Sequence, residues 1–338
     1  MGRNHLVTGF PSFLGKRVVT SILEAEGDAR VLCLVPPEAI EGARNEFGGP
    51  NGSRDPRVEF LVGQETSMHL GLSAREYRRL REEVHAIHHL PRLGTSPERR
   101  PNADAVDNVL ELAQDCASLE RFHHYSVPPS PRPSTGALLP LALSPTPEAL
   151  LARIEAKVRT AMRRLPATIF RPSRLIGDAR TGEFVPGNIP LELALRLALP
   201  PFPVPLPPPG FGAAPFQAVP ADWVARSALR LGQREETLGK TVHLVDPEPV
   251  PLGWVWREVA LRLGRRSWEP LRWVLGVPLL ASRFVRPEDR PREGEAWHGT
   301  ATEERCPSLR TYLDRLLGWA EAQLAKGRGV TRRRDPFE

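Results

Sequence analysis

An α/β fold with a doubly wound parallel sheet and a smaller C-terminal lobe is what this 338-residue sequence predicts. Three observations predict it. Short apolar runs alternate with helical periodicities as far as about residue 173. A glycine-punctuated turn, Gly9 to Gly15, joins the first apolar run to the first helical stretch. Beyond about residue 175 the alternation loosens, and prolines gather around 200–209.

The elements follow in order. HLVTG (5–9) reads as a short strand ending in glycine. Leu14 to Glu26 has helical periodicity, with Leu14, Val18, Val19, Ile22 and Leu23 on one face. ARVLCLV (29–35) and VEFLVG (58–63) read as the second and third strands. Ala74 to Glu83 is a charged helix, and HAIHHL (85–90) a fourth strand. Asn102 to Ala117 is a helix with Val106, Val109, Leu110 and Ala113 inward. FHHYSV (122–127) is a fifth strand, Pro147 to Arg164 a long helix, and ATIFRPS (167–173) a sixth strand. Strands spaced by helices imply right-handed crossovers and a parallel sheet covered on both faces. The later half is expected to hold a helix near Ala221–Leu231, a strand at TVHLV (241–245), and helices near 252–263 and 308–325. The predicted organisation is a core over 1–175, a lobe over 176–325 interleaved with it, and a basic tail over 326–338.

Composition narrows the class. Hydrophobic residues make up 41% and charged residues 25%, as in ordinary globular domains. No run of about 18 apolar residues occurs, so no membrane span is expected. The start, MGRNHLVTGF, lacks the order of a signal peptide, and Leu6 breaks the myristoylation pattern. Cys33, Cys116 and Cys306 are widely spaced; neither a disulfide framework nor a metal site is expected, and a reducing cytoplasm fits. The net charge of +6 comes almost wholly from Arg, with Lys only at 16, 157, 240 and 326. The one basic cluster, Arg328 to Arg334, reads as a solvated tail, and a nucleic-acid partner is not expected.

Gly9-Phe10-Pro11-Ser12-Phe13-Leu14-Gly15 sits where a dinucleotide-binding turn belongs, after a strand and opening a helix. Gly9 permits the tight turn and Gly15 permits close helix–strand packing. The helix N-terminus would face a pyrophosphate. The middle position is Ser12, which adds a Cβ, and Pro11 removes one backbone N–H. The turn therefore predicts a Rossmann-type architecture with weakened cofactor contacts.

Longer segments then resemble a family. VTGFPSFLG (7–15), GLSAREYRRLREEVHAIHHL (71–90), NVLELAQ (108–114) and LPATIFRPSRLIGDARTGE (165–183) are similar to extended short-chain dehydrogenases/reductases. The similarity is greatest to the branch with fatty-acyl and thioester reductases. FQAVPADWVARSAL (216–229), TVHLVDPEPVPL (241–252) and CPSLRTYLDRLLGWAEA (306–322) resemble its C-terminal segments. The resemblance implies NAD(P), with contacts at Gly9, Ser12, Phe13, Leu14 and Gly15, at Gln64, at Leu90 and Arg92, at Asn102 and at Arg153. A helix N-cap is an equal reading of Asn102. It also implies a catalytic Tyr with a Lys four residues on, and a Ser or Thr after the fifth strand.

That catalytic pair is missing. Its slots fall on Ala149 and Arg153. The tyrosines are Tyr77, Tyr125 and Tyr312, and four residues beyond them stand Arg81, Pro129 and Leu316. Arg153 can contact a ribose or phosphate, but a guanidinium cannot share the proton chemistry of an amine. Ser126 is the candidate third member, and His124 or Tyr125 a substitute proton donor. His85, His88, His89, His123 and His124 are expected near the carboxyl ends of the strands, mainly as packing residues. Ile189, Leu191, Leu193, Leu195 and Leu199, before a proline run, suggest a lipophilic ligand or a protein partner. Three readings result: a pseudoenzyme that binds or regulates, with NAD(P) binding weakened or lost; an NAD(P)-dependent oxidoreductase of a lipophilic carbonyl or acyl substrate with an atypical donor; and a cofactor-free scaffold. A homodimer is compatible with each.

Overall fold

A computed structural model describes residues 2–47, 55–91, 105–126, 147–184, 204–205, 215–262, 267–268 and 305–325. In chain order the main elements are β1 (Asn4–Thr8), α1 (Phe13–Ala25), β2 (Arg30–Val35), α2 (Ile40–Phe47), β3 (Val58–Val62), α3 (Ala74–Glu83), β4 (Ala86–His89), α4 (Ala105–Asp115), β5 (Arg121–Tyr125), α5 (Pro147–Ala161) and β6 (Ala167–Pro172). After these come α6 (Ala221–Gly232), β7 (Thr241–Leu244), α7 (Leu252–Arg262) and α8 (Leu309–Ala325). Seven strands form one sheet in the order β7-β6-β5-β4-β1-β2-β3, and every neighbouring pair is parallel. Strand order reverses direction between β1 and β4, so a crevice opens at the carboxyl ends beside them.

Both sheet faces are covered. On one, α1, α2 and α6 bury Val18, Ile22, Ala43, Trp223 and Val224 against Val7, Val31, Tyr125 and Phe170. On the other, α3, α4 and α5 bury Leu80, Val109, Ile154 and Val158 against Leu6, Ile87, Phe122 and Ile169. Strands buried on both faces need unbroken apolar runs, which is why RVLCLV lacks alternation. A third cluster joins Ile176, Phe184, Phe216, Trp256, Tyr312 and Leu316, with α7 and α8 as its helices. Among the described residues no helix is long and apolar enough to cross a membrane.

The structure differs from the sequence reading in places. Helix α2 was not predicted; Pro36 and Pro37 mask its start, and among the described side chains Ile40 and Ala43, with Ala39 just before the helix, pack inward. Helix α5 ends at Ala161, short of Arg164. His85 lies before the amino end of β4, not at a carboxyl end, and its Nδ1 accepts from the backbone N–H of Asn4 at 3.2 Å. His123 is the middle residue of β5. Asn102, Arg92, the 189–199 apolar run and the 326–338 tail lie outside the described residues.

Arg17 of α1 ties the core to the segment after β6. Its side chain is 9% exposed, and its Nε donates to Asp178 Oδ2 at 3.1 Å. A terminal nitrogen donates to Glu183 Oε2 at 2.5 Å, and the guanidinium lies 3.8 Å from the Phe13 ring centre. Asp178 also accepts from the backbone N–H groups of Arg180 and Thr181 at 2.9 Å. Burial raises the Asp178 carboxyl, but the Thr181 N–H and the Arg17 charge outweigh it and hold it low. Removing one partner of a buried pair strands the other charge. Arg17→Ala is therefore expected to destabilise the protein by about 3–5 kcal/mol in urea unfolding. A loss within error of zero would mean that this tie contributes nothing.

Candidate functional site

The turn after β1 is shaped by contact with the end of β4. Gly9 has φ +71°, a conformation that favours glycine. A Cβ there would stand 2.0 Å from the carbonyl oxygen of Leu90. Ser12 closes the turn, its N–H donating to Gly9 O at 3.1 Å, and caps α1 by accepting from the Gly15 N–H at 3.2 Å. The Ser12 hydroxyl thus spends its oxygen on the helix and keeps its proton to donate. A Cβ at Gly15 would come within 2.9 Å of that oxygen. Phe10 is buried against Phe60 of β3, and the Phe10–Pro11 peptide is cis. The side chains of Leu14 and Leu90 are buried in the core, so these residues offer backbone to the crevice.

Past β3, the exposed amide of Gln64 donates to Ser67 Oγ at 3.3 Å. The next residue, Glu65, is a charged group the sequence reading missed. Its side chain is 10% exposed, and its Oε1 lies 3.8 Å from His89 Nδ1. That oxygen has no hydrogen-bond partner among the described residues. Asn108 of α4 donates to its backbone carbonyl at 2.7 Å.

The two residues expected at the catalytic-pair positions, Ala149 and Arg153, fall on α5. Ala149 is in its first turn, and Arg153, one turn on, is exposed. The same helix turns Leu151, Ile154, Glu155 and Val158 toward the sheet. Glu155 anchors a buried network. Its Oε2 accepts from Ser126 Oγ at 2.8 Å and from Arg171 Nε at 2.9 Å. Its Oε1 accepts from Arg171 at 2.5 Å and Arg159 at 2.6 Å. Burial pushes the Glu155 carboxyl up, but the Arg171 guanidinium, with Ser126 and Arg159, prevails and holds it below the usual range. The candidate Ser126 is thereby bonded to a carboxylate. Only the Glu155–Arg159 spacing hinted at this network; Arg171 comes from another strand.

The two substitute donors point to opposite faces. Tyr125 lies under α1 and α6, with its hydroxyl 3.3 Å from His88 Nδ1. Burial drives its phenol above the ordinary range. It therefore lies on the sheet face opposite α5. His124 points to the α4/α5 side, stacked 5.2 Å from His89. Neither of its ring nitrogens has a hydrogen-bond partner among the described residues. Thr8 Oγ1 and His89 Nδ1 are 2.8 Å apart. Burial pulls His124 well below 6.5, and the His89 ring adds to this, so at neutral pH it is uncharged. Among the described residues, no group of three or more His, Cys, Asp or Glu is placed to hold a metal ion.

A crevice at the sheet's switch point, a glycine turn and a capped helix N-terminus define a protein of the Rossmann-type dinucleotide fold. Residues 7–135 match the NAD-binding family described as male sterility protein. The chain is 26% identical to the terminal R domain of the myxalamid PKS-NRPS pathway, with a TM-score of 0.68 over 96% of this chain and 91% of that one. The reductase domain of a nonribosomal peptide synthetase from Mycobacterium tuberculosis is 21% identical, with a TM-score of 0.65 over 86% and 78%. WbmF of Bordetella bronchiseptica, solved with NAD+, is 15% identical, with a TM-score of 0.61 over 99% and 97%; the last two likenesses are of fold. No curated protein sequence matches the chain. Over residues 7–135 the chain is thus similar to that NAD-binding family, and across most of its length it is similar to an R domain of the fatty-acyl reductase-like branch of extended short-chain dehydrogenases/reductases.

The buried histidines set an acid limit. His124 and His89 are held neutral in the fold, both chiefly by burial, whereas in the unfolded chain they charge near 6.5. A base with a lowered folded pKa takes up protons on unfolding, so stability is fully present above about pH 6.5 and falls as pH drops below it. His124→Phe is expected to flatten this acid limb. It should also raise stability at pH 7 by about 1–3 kcal/mol, because an unsatisfied buried group is removed. Urea midpoints between pH 5 and pH 8 on both proteins check this; an unchanged slope counts against it.

Proposed function

We propose that this chain is a dinucleotide-binding member of its family that does not perform hydride transfer by the Tyr/Lys route, and that it acts by binding or regulation. One observation carries the reading: no Tyr-x-x-x-Lys pair occurs in the sequence, and on this reading its positions are taken by Ala149 and Arg153 of α5. The commitment of Ser126 to Glu155 supports it. General acid–base help of this kind contributes about 10²–10⁴ in rate.

NAD(P) would rest on the backbone of Gly9 to Gly15, with the Ser12 hydroxyl proton directed at a phosphate and Gln64 toward the adenine. When bound, the cofactor supplies a hydride. The glycine geometry fits it; the imide nitrogen of Pro11, which has no proton, weakens it. Arg153, Arg92 and Asn102 are further contacts on this reading. The ligand or partner is lipophilic, on the strength of the apolar run 189–199; a cytoplasmic location is expected, and a homodimer is compatible with this reading. The 26% identity to the myxalamid pathway's R domain favours a second reading, an active oxidoreductase. On that reading His124 is the donor, because it alone of the two substitutes lies on the α5 face.

Thermal-shift titration with NADPH and NADH is expected to give a positive shift. Assays with acyl thioesters, aldehydes and ketones are expected to give no turnover. Ala149→Tyr with Arg153→Lys restores the pair, and any rate gained by that double variant alone supports the proposal. Reduction by the unaltered protein at family-like rates would overturn it, and loss of that rate in His124→Ala would establish the second reading. No shift with either nucleotide would favour a cofactor-free scaffold.

A further inference from the structure

Three imidazoles meet in the core on the sheet face covered by α1 and α6. They form a line. His5 Nε2 lies 3.2 Å from Glu26 Oε2, and His5 Nδ1 lies 3.2 Å from His88 Nε2. His88 Nδ1 lies 3.4 Å from His123 Nδ1, and His123 Nε2 lies 3.3 Å from the carbonyl oxygen of Gly232. The rings of His5, His88 and His123 are each at most 2% exposed. The approach at Gly232 is tight enough that a Cβ there would stand 2.3 Å from His123 Nε2.

The two ends of this line are both acceptors: an ionised carboxylate and a carbonyl. Each of its four contacts needs one proton, and three neutral rings carry three. A neutral line therefore leaves one contact with two lone pairs facing each other. Glu26 fixes His5 as the Nε2–H form. His88 must then donate from Nε2, which leaves its Nδ1 as an acceptor. Tyr125, 3.3 Å from that nitrogen, supplies a proton there. Gly232 demands an Nε2–H on His123, and the unmatched contact is then His88 Nδ1 against His123 Nδ1. One more proton, on His123 Nδ1, completes the line and competes with Tyr125 for His88.

We propose that His5, His88 and His123 take up a single proton as one unit, and that its arrival transfers His88 Nδ1 from Tyr125 to His123. Tyr125 ends β5 beside Ser126, so the released phenol is at the carboxyl edge of the sheet. The proton enters no bond-making step. It converts a neutral line into one cation facing the Glu26 carboxylate. The other groups around the line are few. Arg3 flanks Glu26, and Gln233 donates to Glu26 Oε1 at 3.2 Å. Arg121 opens β5 and donates to the same Gly232 carbonyl at 3.0 Å. β6 contributes the Phe170 ring, 5.5 Å from His123. Burial, partly offset by the Gly232 carbonyl, draws His123 down to about 4, and burial also lowers His88. His88 and His123 are thus neutral at pH 7.

Nitrogen-15 NMR of the histidine rings in the full chain, followed from pH 7.5 downward, tests the proposal. At the start His5 and His88 should be Nε2–H tautomers. On acidification the three rings should shift together, with one midpoint and one proton, and the Tyr125 ring signal should move with them. Glu26→Gln, at the edge of the core, should lower that midpoint by about 1 unit by removing the counter-charge. His123→Phe leaves three contacts for the two remaining rings and Tyr125, so proton uptake before unfolding should vanish. Three separate midpoints, an Nδ1–H tautomer at His5, or unfolding before any ring titrates would overturn the proposal.

Discussion

The carbonyl oxygen of Leu90 occupies the place that any side chain at residue 9 would need. Much of the site depends on that one close approach. It brings the end of β1 against the end of β4 and holds Gly9 at a positive φ. The chain then turns sharply enough for Ser12 to cap α1. The helix N-terminus consequently opens onto the crevice where strand order reverses, and the later pieces assemble around that edge.

The alternation of β5 does the next part of the work. Its odd-numbered residues His123 and Tyr125 face α1 and α6, while His124 and Ser126 face α4 and α5. A phenol and a hydroxyl that are neighbours in sequence therefore serve different compartments. The phenol joins the imidazole line, and the hydroxyl joins the Glu155–Arg171 network.

Buried charge is handled differently at each place. Arg17 meets two carboxylates, and Glu155 meets two guanidinium groups and a hydroxyl. These groups are matched, and matched networks fix geometry. Glu65 Oε1 and both ring nitrogens of His124 have no hydrogen-bond partner among the described residues. The contrast separates residues that hold the fold from residues whose burial the fold alone does not explain.

The strands, the glycine turn and the absent Tyr-x-x-x-Lys pair were legible in the sequence because each is local. A strand buried on both faces must be an apolar run, a turn at positive φ calls for glycine, and a pair one helical turn apart is either written in the chain or not. Helix α2 escaped because two prolines immediately precede its start. The roles of Ser126, Tyr125 and the histidines were not legible. His5 and His88 are 83 residues apart, and Arg171 follows Glu155 by sixteen. Such partners meet only when strand register sets which face each residue takes. Sequence determined which groups were present and which were lacking; tertiary structure decided which of them met, because direction across a sheet is a property of pairing and not of composition.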